Sequence, residues 1–432
     1  MISVFGSSWA ILLGMMLLMV GNGLQGSLLG VRGDLEGFST GALSIVMSAY
    51  FAGFLFGSRL APEMIRRVGH VRVFAALGSM ISAALILFPT FADPIAWTLL
   101  RVVIGFCFSG VYVTAESWLN NSTSNETRGQ ALSIYVIMQM VGIVAAQMIL
   151  AVGDPSGFVL FVVPSVLVSL AFLPMLLSAS PTPSFESTKP LSFAEIYKVS
   201  PLGCIGIGLL GGVFSALFGM AAVYATAIGL TVTQLSFFVS MIYTGGLILQ
   251  FPIGWLSDRF DRRTLIVLVS GTAAAASLVA MTGVGGYTGL LVVAFVIGGM
   301  ANPLYALLLA YTNDYLDNDD MAAASGRLVA INGTGAIVGP LIIGWMMGGI
   351  GPQAFFLFIA ILMVLLAGYG MFRMTQRSSP DVEDTGLYQA ILPTATPVAM
   401  EFAQEVWIED DESSEEDTPE AEDDQPATGT FG

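Results

Sequence analysis

The sequence predicts an all-α polytopic membrane protein, with twelve transmembrane helices in two pseudo-symmetric six-helix bundles. Three observations carry this. Of the 432 residues, 55% are hydrophobic and 11% charged, whereas a soluble domain has about 45–50% and about 25%. Apolar runs of roughly 20 residues, enough to cross the hydrocarbon core as a helix, recur along the chain. Short motifs also repeat between the two halves at a near-constant distance, the mark of an internal duplication.

The net charge of −16 is unevenly placed. From Asp381 onward there are 16 acids and no Lys or Arg, so residues 1–380 hold 15 acids and 15 bases. The membrane body is neutral, and no nucleic-acid partner is expected. Cys107 and Cys204 both lie in apolar runs, so they read as small core residues, with no disulfide framework and no metal cluster. No cleavable signal peptide is expected, because the first apolar segment follows an uncharged start and is too long for one.

In chain order, the spans lie near residues 8–30, 40–60, 71–91, 94–119, 127–152 and 157–178. The second six lie near 201–228, 233–257, 263–283, 288–313, 322–349 and 353–376. Residues 1–178 and 201–376 are thus the two bundles, and the Pro/Ser/Thr-rich stretch 179–200 is a linker. Within it, Ser192 and Glu195 have capping-box spacing, which suits a short helix on the membrane surface. Residues 377–432 form an acidic tail too polar to fold alone. Its one apolar patch, Val398–Ile408, leaves open a docking helix for a partner or for the bundle's inner face.

Placing the N-terminus inside puts 13 of the 15 basic residues on cytoplasmic segments; Arg32 falls outside and Arg101 lies within a span. Such a bias predicts both termini in the cytoplasm. The halves match at Val103-Ile104-Gly105 with Tyr112 and at Val296-Ile297-Gly298 with Tyr305, an offset of 193. Val141-Gly142 and Val338-Gly339 match at 197.

The densest charge lies in a tight turn between spans eight and nine. Gly254-Trp255-Leu256-Ser257-Asp258-Arg259-Phe260-Asp261-Arg262-Arg263 resembles the signature loop of the Major Facilitator Superfamily, with Asp261 where that family has Gly. Gly254 allows close helix approach, Asp258 can meet a helix terminus or an arginine, and Arg259 and Arg262 hold the turn inside. The first-half copy, Gly57 to Gly69, has lost the acid unless Glu63 replaces it. His70, the sole histidine, reads as a solvated loop residue. Gly339-Pro340 in span eleven resembles the Gly-Pro bend that antiporters of the superfamily carry in span five, where this chain has Gly142-Ile143. Ala115-Glu116-Ser117-Trp118-Leu119-Asn120 looks like the YcaD-like bacterial permeases.

A charge at membrane depth costs about 2.5–3.5 kcal/mol on insertion scales. Arg101 opens a run similar to the family's Arg-x-x-x-Gly motif, which the resemblance ties to proton coupling; an arginine snorkelling to the outer interface is the other reading. Glu116 is a proton-carrier candidate or an interfacial acid paired with Arg128. Asn22 and Gln25 share a helix face, and Tyr112, Gln139, Tyr243, Asn302, Tyr305 and Asn332 must face the bundle interior.

The resemblance implies a secondary active transporter of a small solute, coupled to protons and working by alternating access in a bacterial cytoplasmic membrane. A monomer with no cofactor and no metal is expected. An enzyme would need a reactive constellation, and the chain has no phosphate-cradling Gly-x-x-x-x-Gly-Lys-Ser/Thr run and no histidine inside the expected spans. The alternative is a transport-inactive sensor or scaffold that signals through the acidic tail.

Overall fold

Satisfying every backbone amide without water forces lipid-crossing segments into helices. The computed structural model accordingly has helices and, among the described residues, no strand. It describes residues 2–177, 191–376 and 385–416, without side chains at 2–7, 125–126, 175, 177, 318–319 and 407–416. Most of the linker, with Lys189, and the tail's end lie outside the described residues.

The first bundle is α1 (Ile2–Leu35), α2 (Thr40–Val68), α3 (His70–Thr90), α4 (Pro94–Asn121), α5 (Asn125–Val152) and α6 (Val159–Leu177). A short helix, α7 (Phe193–Val199), precedes the second bundle. That bundle is α8 (Pro201–Ala227), α9 (Val232–Ser257), α10 (Arg262–Met281), α11 (Gly286–Asn313), α12 (Asn318–Ile350) and α13 (Ala354–Met374). A final helix, α14 (Pro397–Glu416), lies in the tail. Eleven of these helices are long and apolar enough to cross a membrane, and α6 is apolar over the shorter stretch Val159–Pro174.

Local signals set the ends. Asp93 accepts from the Ile95 and Ala96 amides with Pro94 in the first turn, and Thr231 with Gln234 forms a capping box. The Ser192–Glu195 capping box expected in the linker is present on α7. Gly69, at φ +87°, breaks the chain between α2 and α3 in a conformation other residues adopt only under strain.

The two bundles pack alike. In the first, α2 lies on α4, α1 on α5 and α6, and α3 on α4 and α6; in the second, α9 lies on α11, α8 on α12 and α13, and α10 on α11 and α13. The closest crossings use equivalent glycines. A Cβ on Gly53 or Gly105 would strike the backbone carbonyl of Val102 or Tyr50, and one on Gly245 or Gly298 would strike that of Phe295 or Ile242. Gly298 lies 193 residues beyond Gly105 and Gly245 lies 192 beyond Gly53, in line with the sequence offset.

The bundles meet mainly along α2 with α12 and α5 with α9. At the face away from the chain ends the seam is shut: Ser48 Oγ donates to the Ile337 carbonyl (2.6 Å) and Thr233 Oγ1 to that of Ala151 (3.2 Å). At the face carrying the chain ends, residues 385–406 fill the space between the bundles. The tail's mean polarity predicts a segment that does not fold alone, with Val398–Ile408 as the one stretch that could dock; residues 385–406 pack against the bundles, and the helix there begins at Pro397, because their apolar side chains reach the bundle core.

Candidate transport cavity

Among the described residues, voids cluster around residues 391–395 of the tail. One, of about 380 Å³, is lined by Tyr50, Phe51, Phe54, Phe214 and Asn332, and by Pro393 to Ala395 of the tail. A second, of about 320 Å³, touches Asn22, Tyr112, Phe218, Tyr243 and Asn302, and a third adds Leu210 and Leu217. A fourth holds Glu116, Tyr135 and Gln139. Both bundles contribute to the second void. One turn of α8, Ala216–Met220, is a π-helix, a form frequent at functional sites. Phe218 within it and Phe214 just before it line the cavity wall.

Arg101 is wholly buried, so it does not snorkel to the interface. Its Nη1 donates to Gln25 Oε1 (2.9 Å) and its Nε to the Val46 carbonyl (3.4 Å), and the guanidinium lies 4.6 Å from the Tyr50 ring centre. Asn22 Nδ2 donates to the hydroxyls of Tyr50 (3.1 Å) and Tyr112 (3.3 Å). One polar strand therefore joins Arg101, Gln25, Tyr50, Asn22 and Tyr112. It leaves capacity unused: among the described residues, Asn22 Oδ1, Gln25 Nε2 and Asn332 Oδ1 are buried without a partner.

Glu116 lies one turn beyond Tyr112 on α4. Its carboxylate accepts from Tyr135 Oη (3.0 Å), from the Thr396 hydroxyl and from the Thr396 and Ala399 backbone amides. The pairing with Arg128 allowed by the sequence does not occur. Arg128 bonds Glu405 (3.3 Å) instead.

The remaining candidates are scattered more widely. Gln139 is buried beside Glu116, Asn302 Nδ2 bonds its own helix at Gly298 (2.9 Å), and Tyr243 lines two voids. Tyr305 meets Met400 Sδ (3.6 Å), and Asn332 Nδ2 donates to the Pro393 carbonyl (2.8 Å).

In the signature loop, Arg262 is buried and pairs with Asp314, an acid that sequence reasoning missed. It also meets Asp258 (3.9 Å) and donates to the Gly386 carbonyl. Burial outweighs Arg262 and raises the Asp314 carboxyl to about 6. Arg259 stays outside this cluster, stacked 4.3 Å over Trp255. A Cβ on Gly254 would run into the Tyr388 ring.

In the first half, Gly57 lies against the Phe106 carbonyl, and Glu63 pairs with Arg66 and Arg67 on its own helix. His70 is buried and stacked on Trp118, not solvated, because α3 begins at it and turns its ring inward. Pro340 lies inside α12, next to Gly339, which packs on Ser215 and Gly212. Tyr135 and Thr396 carry no signal in the sequence that marks them as site residues.

The description "Major Facilitator Superfamily" belongs to a family model that matches residues 4–224 and 202–396. The chain belongs to that superfamily. An uncharacterised MFS-type transporter, YcaD, from Escherichia fergusonii is 25% identical over 292 residues, covering 67% of this chain and 75% of the relative. Among solved structures, a variant of the nucleoside transporter NupG superposes with a TM-score of 0.72 at 16% identity, over 84% of this chain and 99% of that one. A D-xylose-proton symporter superposes at 0.66 and 14%, over 88% and 99%. This superfamily chain is therefore a multi-pass membrane protein for secondary transport of a solute, a transporter rather than an enzyme.

Proposed function

We propose that the protein is a proton-coupled secondary active transporter of a small, uncharged, amphipathic solute, working as a monomer by alternating access. The observation that carries this reading is the pair of unspent amide oxygens, Asn22 Oδ1 and Asn332 Oδ1, beside aromatic-walled voids. A buried polar atom left unpaired costs about 1–3 kcal/mol, so a solute that satisfies these atoms is favoured there. The flat Phe and Tyr walls suit an apolar or ring-bearing body. Arg101, the buried cation behind Tyr50, is already engaged by Gln25 and Tyr50, which argues against an anionic solute.

Glu116 is the proposed proton carrier. It is buried, and among the described residues it bonds only hydroxyls and amides, with no basic side chain in ion-pair reach. Such a carboxyl can exchange its proton as the cavity opens to one side and then the other. The bacterial relative and the distribution of Lys and Arg support placement in the inner membrane, both termini in the cytoplasm. The boundaries 1–178 and 201–376 are proposed as the two rocking units, joined by 179–200.

The test uses proteoliposomes and the solute found by a thermal-shift screen of the purified protein. Glu116→Gln is expected to abolish accumulation driven by a proton gradient while leaving solute counterflow intact. Gradient-driven accumulation by Glu116→Gln at the wild-type level would remove the proton role. No uptake or counterflow by any form would favour the sensor reading instead.

A further inference from the structure

The tail is not laid over the opening but inserted into it. Ile391, Leu392, Ala395, Ala399, Met400 and Phe402 are all buried. Leu392 wedges among Val136 and Met140 of the first bundle and Leu247 of the second. The four voids of the cavity have tail residues in their walls, so the segment divides what would otherwise be a continuous space.

Its polar contacts fall on the transporter's own machinery. The Tyr388 amide donates to Asp258 (2.7 Å), and its hydroxyl accepts from Gln250 Nε2 (2.9 Å). The Gly386 carbonyl accepts from Arg262, the Pro393 carbonyl accepts from Asn332, and the Thr396 hydroxyl donates to Glu116. Further along, Gln404 Nε2 donates to Asn313 Oδ1 (3.1 Å) and its Oε1 accepts from Ser325 (2.9 Å), both in the second bundle. Glu405 answers Arg128 and Asn120 in the first. Both bundles are thus held through one strand of chain.

We propose that residues 386–406 are an intramolecular ligand of the transport cavity, a plug that must withdraw before solute is carried. The proposal rests on reading that cavity as the solute's path. Alternating access requires the chain-end face to close when the far face opens. The far face is already shut by Ser48–Ile337 and Thr233–Ala151. With the segment wedged between α4–α5 and α11–α12, the near face cannot close, and the cycle stops in this state. The plug also occupies Asn332 and Glu116, so solute and tail compete for the same groups. It therefore acts as a competitive inhibitor tethered to the enzyme-like site it blocks, and the ligand class is a neutral, largely apolar peptide segment.

The test keeps the full chain and needs no known solute. Ala336→Cys, beside Pro393 to Ala395 on the cavity wall, is introduced after replacing Cys107 and Cys204 with alanine. N-ethylmaleimide labelling is then timed with and without Leu392→Arg in the tail. If the withdrawn state is a minor one, at about 1–10% of molecules, undocking the tail speeds labelling about ten- to a hundredfold. Equal rates in two folded, monodisperse samples would overturn the plug.

A second variant guards against misfolding. Gly129 and Val406 lie side by side, a Cβ at 129 falling 3.4 Å from Val406 Cγ1. Gly129→Cys with Val406→Cys is expected to form a disulfide under mild oxidant, to slow labelling at Ala336→Cys further, and to recover on reduction. Failure to crosslink would refute the docking, and crosslinking without protection would refute the plugging. If labelling behaves as stated but no form carries solute, the transport reading fails while the plug stands.

Discussion

Arg101→Met separates a transporting arginine from a structural one. The side chain is wholly buried, and no carboxylate lies within ion-pair distance among the described residues. Desolvating such a cation costs several kcal/mol. Against this stand the Gln25 bond, about 1.5–3 kcal/mol for a charged donor, a weaker bond to the Val46 carbonyl, and about 2 kcal/mol of cation–π attraction to Tyr50. Methionine keeps most of the volume, removes the desolvation penalty and leaves one acceptor, Gln25 Oε1, which can turn toward Asn22. The terms nearly cancel, so unfolding free energy is expected to change by no more than about 2 kcal/mol in either direction. Transport is expected to fall about ten- to a hundredfold, the equivalent of one lost charged hydrogen bond. Chemical unfolding in detergent and uptake in proteoliposomes read the two quantities separately. A stability loss above about 3 kcal/mol with unchanged uptake per folded molecule would refute this reasoning and make Arg101 a strut.

The glycine crossings predict a contrast. Gly298→Ala would place a methyl group on the Ile242 carbonyl and is expected to cost about 1–3 kcal/mol and lower the folded yield, whereas Gly271→Ala meets nothing within 4 Å and should be neutral or slightly stabilising. Thermal unfolding of the two variants side by side checks this. Asp314 predicts a pH dependence. Its carboxyl, near 3.8 when unfolded, is raised to about 6 in the fold by burial, so the native state holds the proton more tightly. The stability it contributes is full below about pH 4 and is lost as pH rises through about 6, roughly 3 kcal/mol in all. Asp314→Asn should flatten that part of the unfolding profile between pH 4 and 7; an unchanged slope would contradict the assignment.

Much of this was legible in the sequence because it is written locally. Hydropathy marks the spans, and the 193-residue offset between Gly105 and Gly298 survives as a shared helix crossing. Candidate polar residues on α1 and α4 do come together, since a residue that cannot face lipid must face the interior. What remained hidden depends on contacts between distant stretches. Thr396 and Glu116 are 280 residues apart, and Asn332 meets Pro393 only because the tail folds back. Outside the Val398–Ile408 patch, the tail's apolar residues are diluted among acids, so an averaged pattern reads as solvent-loving. Asp314 was likewise an ordinary loop acid until Arg262 reached it. His70 looked exposed because its neighbours Arg67 and Arg72 are charged, yet its ring turns under Trp118.

The central claim is that two rigid bundles rock about one cavity, and distances between spin labels test it most directly. Ser124→Cys with Asp317→Cys reports on the chain-end face, and Val152→Cys with Val284→Cys on the far face. In bilayers, with saturating solute and a proton gradient, the account predicts that the first distance shortens in the molecules in which the second lengthens. A single unchanged distribution at both faces, in a protein that still transports, would contradict it.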